Sequence, residues 1–320
     1  MLTRRQFLLG VGGLATLAGG ASYPRWVEPR WLKVSRTSVV VRPGGKGDAS
    51  VLERGGLTAL STSQPGGPTA HHDPESSAVG GEARKAQPIR LLHLSDFHLS
   101  SVVSLAFIAE SISLGLAQQP DVIALTGDFV TARLTQTREY TDILARLSAV
   151  APTFACLGNH DGGRWTHRLG GSATIDAVLG LLSGAGVTCL MNEARQVVIK
   201  GRTMQFIGVG DLWSGMCNPG KAFVQTPERD GAIRVVLNHN PDAKDLLRRF
   251  DWDLMLCGHT HGGQVKLPWI GTPFLPVRDK RYVAGLYRWD NRQLYITRGV
   301  GNLHGIRFNC RPEVSVLELV

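Results

Sequence analysis

The chain has no cysteine pattern. Its 320 residues include 5 cysteines, at positions 156, 189, 217, 257 and 310, with no CxxC pair and no regular spacing. An odd, scattered set builds neither a disulfide framework nor a zinc ribbon. Cys156 and Cys257 fall inside apolar runs, where a thiol packs as a small hydrophobe. A membrane-length apolar run is also missing. The N-terminal stretch Phe7–Ala21 has 15 residues, is rich in glycine, and falls short of the roughly 20 a spanning helix needs. No internal repeat is visible. Acidic residues are outnumbered 26 to 35, giving a formal net charge of +9. That excess suits an anionic partner, whether a phosphate compound, a nucleic acid or an acidic lipid headgroup, without choosing among them. With 43% hydrophobic and 19% charged residues, composition excludes global disorder, collagen and coiled coil.

Four segments follow in order. Residues 1–30 begin with Thr3-Arg4-Arg5-Gln6-Phe7-Leu8, a twin arginine ahead of the apolar stretch. This predicts a twin-arginine (Tat) export signal, the alternative being a short anchor with incidental arginines. A clean A-x-A cleavage site is missing, although Ala18-Gly19-Gly20 and Gly19-Gly20-Ala21 come near it, so the segment also suits a retained membrane tether. The implied partner is the Tat export machinery, and the implied address the periplasmic or extracytoplasmic face of the membrane. Residues 31–41 form a basic, aromatic lead-in. Across 25–41, Arg25, Arg30, Lys33 and Arg36 stand against Glu28 alone, with Trp26 and Trp31 interleaved. This fits either association with an anionic membrane surface or a plain linker running into a strand at Ser35–Val41. Residues 42–88, rich in Gly, Ser, Pro, Ala and Thr, are predicted to be a disordered insertion in which His71 and His72 are incidental.

The predicted folded domain is 89–320. Buried-strand runs at Ile89–Ser95, Val122–Thr126, Thr153–Leu157, Met204–Val209, Ile233–Asn238 and Leu254–Cys257 alternate with helical patterns. The helical patterns cover Val102–Gln118, Arg138–Ala149, Ala173–Ser183 and Pro241–Phe250, and Arg281–Val320 reads as β-rich. Alternation of this kind predicts a layered α/β domain.

Five of the strand runs end in polar clusters: Asp96-Phe97-His98, Gly127-Asp128, Gly158-Asn159-His160-Asp161, Asn238-His239-Asn240 and Gly258-His259-Thr260-His261. Sites in open α/β sheets form beyond the carboxyl ends of strands, so these five can converge. Carboxylate, imidazole and amide oxygen are ligands for borderline and hard divalent metals, and the glycines permit close turns. Each piece alone is a common accident; all five in order are not. Asp96, His98, Asp128, Asn159, His239, His259 and His261 are too many ligands for one tetrahedral ion and suit a pair. His93, inside a strand run, reads as a core histidine. His167, His304, Trp213, Met216 and Trp269 could line a pocket or serve only as loop and core residues.

This series resembles the calcineurin-like metallophosphoesterases over about residues 89–320. It looks closest to a bacterial, often Tat-exported branch related to UDP-2,3-diacylglucosamine hydrolases, also through Asn238–Asp242, Gly258–Gln264 and Arg307–Glu313. The 42–88 insertion departs from that pattern but precedes the motifs. The resemblance implies a four-layer α/β/β/α sandwich of two mixed sheets, with a dinuclear metal site at the carboxyl ends of strands. It implies one metal on Asp96, His98 and His261, a second on Asn159, His239 and His259, and Asp128 between them. Mn²⁺ or Fe fits the mixed donor set, with Zn²⁺ an alternative.

A metal pair would lower the pKa of a bridging water, and the hydroxide would attack phosphorus in line. His160 is then the candidate general acid, with Asp161 orienting its imidazole. The expected function is hydrolysis of a phosphodiester or pyrophosphate in a phosphorylated small molecule or lipid. A UDP-2,3-diacylglucosamine-type or other envelope lipid is the suggested substrate. Against the former stands the extracytoplasmic address, since nucleotide sugars are cytoplasmic. A metal-binding scaffold or a broad-specificity phosphomonoesterase is the alternative. A nuclease has less behind it: part of the positive charge lies in the export segment, no basic-aromatic strand platform stands out, and no specific nucleic-acid partner is expected.

Overall fold

The computed structural model describes residues 22–41 and 87–320. The twin-arginine segment up to residue 21 and residues 42–86, His71 and His72 included, lie outside the described residues. Among the described residues, no helix is long and apolar enough to cross a membrane.

Two six-stranded sheets form the body. The first contains β1 (Lys33–Val39), β2 (Ile89–Leu94), β3 (Val122–Thr126), β4 (Thr153–Cys156), β5 (Thr188–Cys189) and β12 (Glu313–Leu319), in the order β1-β12-β2-β3-β4-β5. The second contains β6 (Glu193–Ile199), β7 (Arg202–Gly208), β8 (Ile233–Leu237), β9 (Leu254–Cys257), β10 (Gly285–Trp289) and β11 (Arg292–Ile296), in the order β10-β11-β9-β8-β7-β6. Both sheets are mixed: β12 runs antiparallel to β2 in one, and β6 and β10 run antiparallel to their neighbours in the other.

The side-chain alternation of a strand then sorts the layers. Ile89, Leu91, Val122, Ala124 and Phe154 face the second sheet, where Met204, Phe206, Val235 and Leu256 meet them. Phe154 and Phe206 stack across this interface at 4.5 Å between ring centroids. Leu92, Leu94, Ile123 and Leu125 face outward, onto helices α1 (Leu105–Leu116), α2 (Thr137–Ser148) and α4 (Asp176–Gly184). Ile207, Val236 and Met255 do the same on the far side, towards α5 (Pro219–Val224) and α6 (Lys244–Leu247). The result is the α/β/β/α sandwich that the resemblance implied. His93 is a core residue, as expected: it lies between the sheets with Nε2 2.8 Å from Thr126 Oγ1 and its ring edge-on to Tyr295. Burial lowers its pKa to about 3, so it is neutral.

Several short elements, among them Arg164–Arg168, Thr188–Cys189 and Pro219–Val224, were not expected from the sequence. Pro241–Phe250 is not one helix but a 3-10 turn, Pro241–Ala243, followed by the short α6. Trp252 Nε1 donates to the Leu247 carbonyl at 3.0 Å, capping α6 and turning the chain away. The edge strand β6 was not anticipated, because only Ala194 and Ile199 of its seven residues are buried.

The lead-in segment is part of the body. β1 pairs with β12 in parallel along all seven residues, Lys33 opposite Glu313 through Val39 opposite Leu319. Ahead of it, Glu28 is 1% exposed, and its carboxylate accepts the backbone N–H of Asn309 at 2.9 Å and that of Cys310. Removing that carboxylate strands a buried donor at Cys310 and a half-buried one at Asn309. Glu28→Ala is therefore expected to cost about 2–4 kcal/mol in urea unfolding, with the far-ultraviolet spectrum unchanged. A cost below about 0.5 kcal/mol would mean that β1 docks without this contact.

Candidate metal centre

The carboxyl ends of β2, β3, β4, β8 and β9 meet at one buried point. They bring together all seven residues singled out from sequence, each 5% exposed or less. Their backbones are unusual. Asp96, His98, Asp128, His259 and His261 all have positive φ, between 50° and 67°. The left-handed region is sparsely used by non-glycine residues, with Asp and His among the better tolerated. Five such residues at one point mark a conformation held by its surroundings. The preceding glycines supply the room. A Cβ on Gly258 would lie 2.2 Å from Asp96 Oδ2, and one on Gly158 would lie 2.2 Å from Asp128 Oδ1.

Hydrogen bonding fixes two of the imidazoles. His239 Nδ1 donates to the Thr126 carbonyl at 2.7 Å, and His259 Nε2 donates to the Pro276 carbonyl at 2.9 Å. In the neutral rings the remaining nitrogens therefore carry lone pairs. Those nitrogens, His239 Nε2 and His259 Nδ1, face each other at 3.2 Å. Asp128 Oδ2 lies 3.1 Å from His239 Nε2 and 3.4 Å from His98 Nε2. On the other side, His98 Nε2 and His261 Nε2 are 3.1 Å apart, and His261 Nε2 is 3.3 Å from Asp96 Oδ1. Converging lone pairs and carboxylates in a dry site need a cation.

Two observations show that divalent ions fit. Asn159 Oδ1 is buried with no hydrogen-bond partner, an acceptor facing nothing in the protein. The other is the donor set. Asp96, His98 and His261 offer three atoms mutually within 4.8 Å; so do Asp128, His239 and His259, and so do His98, Asp128 and His160. His98 and Asp128 each belong to two of these groups, which joins the three into one continuous donor set.

Protonation follows the burial and the charges around each group. Burial holds His98 and His259 down to about 3 and His261 well below its ordinary value, so all three keep their lone pairs. Burial would lower His239 as well, but the charge and hydrogen bond of Asp128, with the Asp96 charge, raise it to about 10. Burial would raise Asp128, yet His239, His160 and His98 hold it well below the usual carboxylate range. Burial raises Asp96 to about 6.

His160 and Asp161 stand beside this group but are not linked as the sequence reading had them. His160 Nδ1 donates to the Thr131 carbonyl at 2.6 Å, not to Asp161. Asp161 instead accepts the backbone N–H groups of Asp128, Phe129 and Gly158 at 2.7–2.8 Å, tying the β3 and β4 loops together. Burial foremost, then the Asp128 charge, pushes its carboxyl up to about 8. The sequence could not show this, because the partners are backbone groups of another loop.

His167, on α3 (Arg164–Arg168), and His304 are exposed. The Trp213 ring approaches His259 at 4.4 Å and Trp165 at 5.6 Å, and Trp165 reaches His160 at 4.6 Å, so two indoles bridge the two histidines. Asp211, beyond β7, is a buried carboxylate that sequence reasoning missed; its Oδ2 accepts the Ser214 N–H at 2.7 Å.

Residues 89–263 match the family described as Calcineurin-like phosphoesterase. The chain belongs to that family. It is 37% identical to "Phosphodiesterase YaeI" of Escherichia coli (strain K12), with 100% of both chains covered. It is 26% identical to "Uncharacterized metallophosphoesterase YkuE" of Bacillus subtilis (strain 168), covering 99% of this chain and 98% of that one. To "UDP-2,3-diacylglucosamine pyrophosphatase LpxG" of Chlamydia muridarum it is 26% identical over 72% of this chain and 83% of the relative. It is thus a phosphoesterase, a hydrolase of a family that uses divalent metals, and its buried His and Asp groups are candidate metal holders.

Two outcomes are expected. Asp161→Asn turns an amide onto backbone donors; it should cost about 2–4 kcal/mol in chemical unfolding and lower metal content together, although Asp161 is not itself a ligand. His239 is protonated below about 10 when no metal is bound, so metal binding at pH 7 should release roughly one proton from it. Calorimetry in buffers of different ionisation heat measures that proton, and the His239→Gln protein should lack it.

Proposed function

We propose that the protein hydrolyses a phosphodiester or pyrophosphate bond in a phosphorylated envelope lipid, working outside the cytoplasm after Tat export. The observation that carries the hydrolytic reading is the convergence of His239 Nε2 and His259 Nδ1, 3.2 Å apart, beside Asp128. In this reading Asp96, His98 and His261 hold one divalent ion, Asn159, His239 and His259 hold the other, and Asp128 is shared. Mn²⁺ or Fe suits the mixed oxygen and nitrogen donors, with Zn²⁺ as the alternative. When bound, such ions activate water and neutralise phosphoryl charge.

The protein's own part is positioning and proton transfer. The Thr131 carbonyl fixes the proton of His160 on Nδ1, leaving Nε2 to carry the proton given to the leaving oxygen. The His160 backbone N–H donates to Asp128 Oδ1 at 2.9 Å, so general acid and shared carboxylate are held in one frame. The lipid part of the proposal is supported by the LpxG relative, whose substrate carries acyl chains, and by the basic, aromatic segment before β1. The export part is supported by the twin arginine at Arg4-Arg5.

The test uses Mn²⁺-loaded protein and bis-(p-nitrophenyl) phosphate beside the monoester and UDP-2,3-diacylglucosamine. Turnover should vanish with chelator, and Asp128→Asn should lower it by about 10³-fold or more. His160→Gln should slow an alkyl leaving group by about 10²-fold and p-nitrophenolate, which needs no proton, far less. Folded, metal-loaded protein with no turnover on any of these would move the reading to a scaffold.

A further inference from the structure

Three apolar side chains stand in the open within one short loop. Trp269 is 103% exposed, Ile270 73% and Phe274 79%. The loop is built to hold them there. Leu267 and Gly271 exchange backbone hydrogen bonds at 2.8 and 2.9 Å, and Lys266 N–H donates to the Phe308 carbonyl at 2.8 Å. Trp269 has φ 61°, a strained conformation for a bulky residue.

The segment that anchors this loop anchors a second apolar group on its other side. Arg307 N–H donates to the Pro24 carbonyl, Glu28 takes the N–H groups of Asn309 and Cys310, and the Arg311 guanidinium donates to the carbonyls of Trp31 and Leu32. Trp26 and Trp31 are exposed there. Arg25 and Arg30 lie 5.0 and 5.3 Å from the Trp26 ring, and Arg311 lies 3.8 Å from that of Trp31. Residues 24–31, 264–275 and 305–311 contain one carboxylate, Glu28, and it is buried and spent on backbone. The face is therefore apolar, rimmed with arginine and lysine, and free of exposed acid.

Indoles and aliphatic tips among arginines are the composition of a surface seated at the headgroup boundary of an anionic bilayer. Ile270 and Phe274 protrude 73% and 79% exposed at the tip, and apolar tips set among basic residues suit a fluid, anionic phase. In the sequence, the apolar stretch Phe7–Ala21 runs directly into Ser22 at this face. The face also touches the candidate centre: Cys310 Sγ donates to the His261 carbonyl at 3.2 Å.

We infer that this face docks on anionic phospholipid bilayers by inserting Trp269, Ile270 and Phe274, and brings the centre next to the lipid headgroups. Its bearing on substrate rests on the phosphoesterase proposal; the docking itself does not.

The experiment is sedimentation of the full chain with vesicles of phosphatidylcholine alone and of phosphatidylcholine mixed with phosphatidylglycerol. Partition onto the mixed vesicles should fall about tenfold or more when Trp269, Ile270 and Phe274 are all replaced by serine. It should be unchanged for Val150→Ser, which removes an exposed valine from another element. Arg25→Gln with Arg30→Gln should weaken binding to the mixed vesicles at low salt only, a readout independent of how well the loop variant folds. Equal partition of the parent and both multiple variants would overturn the inference and assign attachment to Phe7–Ala21. Hydrolysis of soluble bis-(p-nitrophenyl) phosphate is followed in parallel. Its absence from every protein, with the partition difference intact, would sink the hydrolytic reading and leave the docking face standing.

Discussion

Two imidazole lone pairs do not face each other at 3.2 Å in a dry site unless positive charge lies between them. Much of the structure around His239 and His259 exists to impose that conflict. The carbonyls of Thr126 and Pro276 lock the rings with their acceptors inward, and Asp128 adds a carboxylate. A proton can satisfy this group, which is why His239 rises to about 10, but one proton does nothing for Asn159 Oδ1, buried and unpartnered nearby. A multivalent cation answers both demands.

Such a conflict needs backbone that does not relax, and the fold supplies it. Five ligand-type residues in the left-handed region cost conformational energy that ordinary loops would shed. Here the strands behind them are packed on both faces, and the loops are cross-tied. Asp161 collects three backbone N–H groups from the β3 and β4 ends. Asp96 accepts the His259 N–H, joining the β2 end in the first sheet to the β9 end in the second. The carboxylates therefore act partly as structural ties between the two sheets, and the centre lies where the ties cross.

The sequence made the centre legible because each candidate ligand follows a buried strand, and such strands are visible as unbroken apolar runs. Ile89–Leu94 and Leu254–Cys257 could be read this way, and so could the motifs after them. Edge strands carry a weaker signal. In β6, Glu193, Arg195 and Gln196 interrupt any run, since only one face meets the core. The partner of His160 was not legible: a carbonyl at Thr131 has no sequence signature, whereas the adjacent Asp161 suggested itself and proved to serve the backbone. The lead-in segment was ambiguous for a similar reason. Its docking depends on Glu28 reaching the N–H groups of Asn309 and Cys310, a contact between opposite ends of the chain.

Arg307 links these observations. It is a fully buried cation whose guanidinium donates to the carbonyls of Cys310, Arg298, Gly299 and Gly301. Burial lowers its pKa, but an arginine stays charged. Gly299 lies against Asp96 so closely that an added Cβ would come within 2.7 Å of the Asp96 Cβ. The turn that Arg307 holds therefore forms the back wall behind the Asp96 side chain. The same residue's backbone N–H fixes Pro24, and the segment it begins carries the exposed tryptophan loop on its other edge. A positive charge is best tolerated there because Asp96 and Glu313 lie near enough to favour it. One buried guanidinium thus sustains both the wall of the candidate centre and the platform of the apolar face, so neither can shift without moving the other.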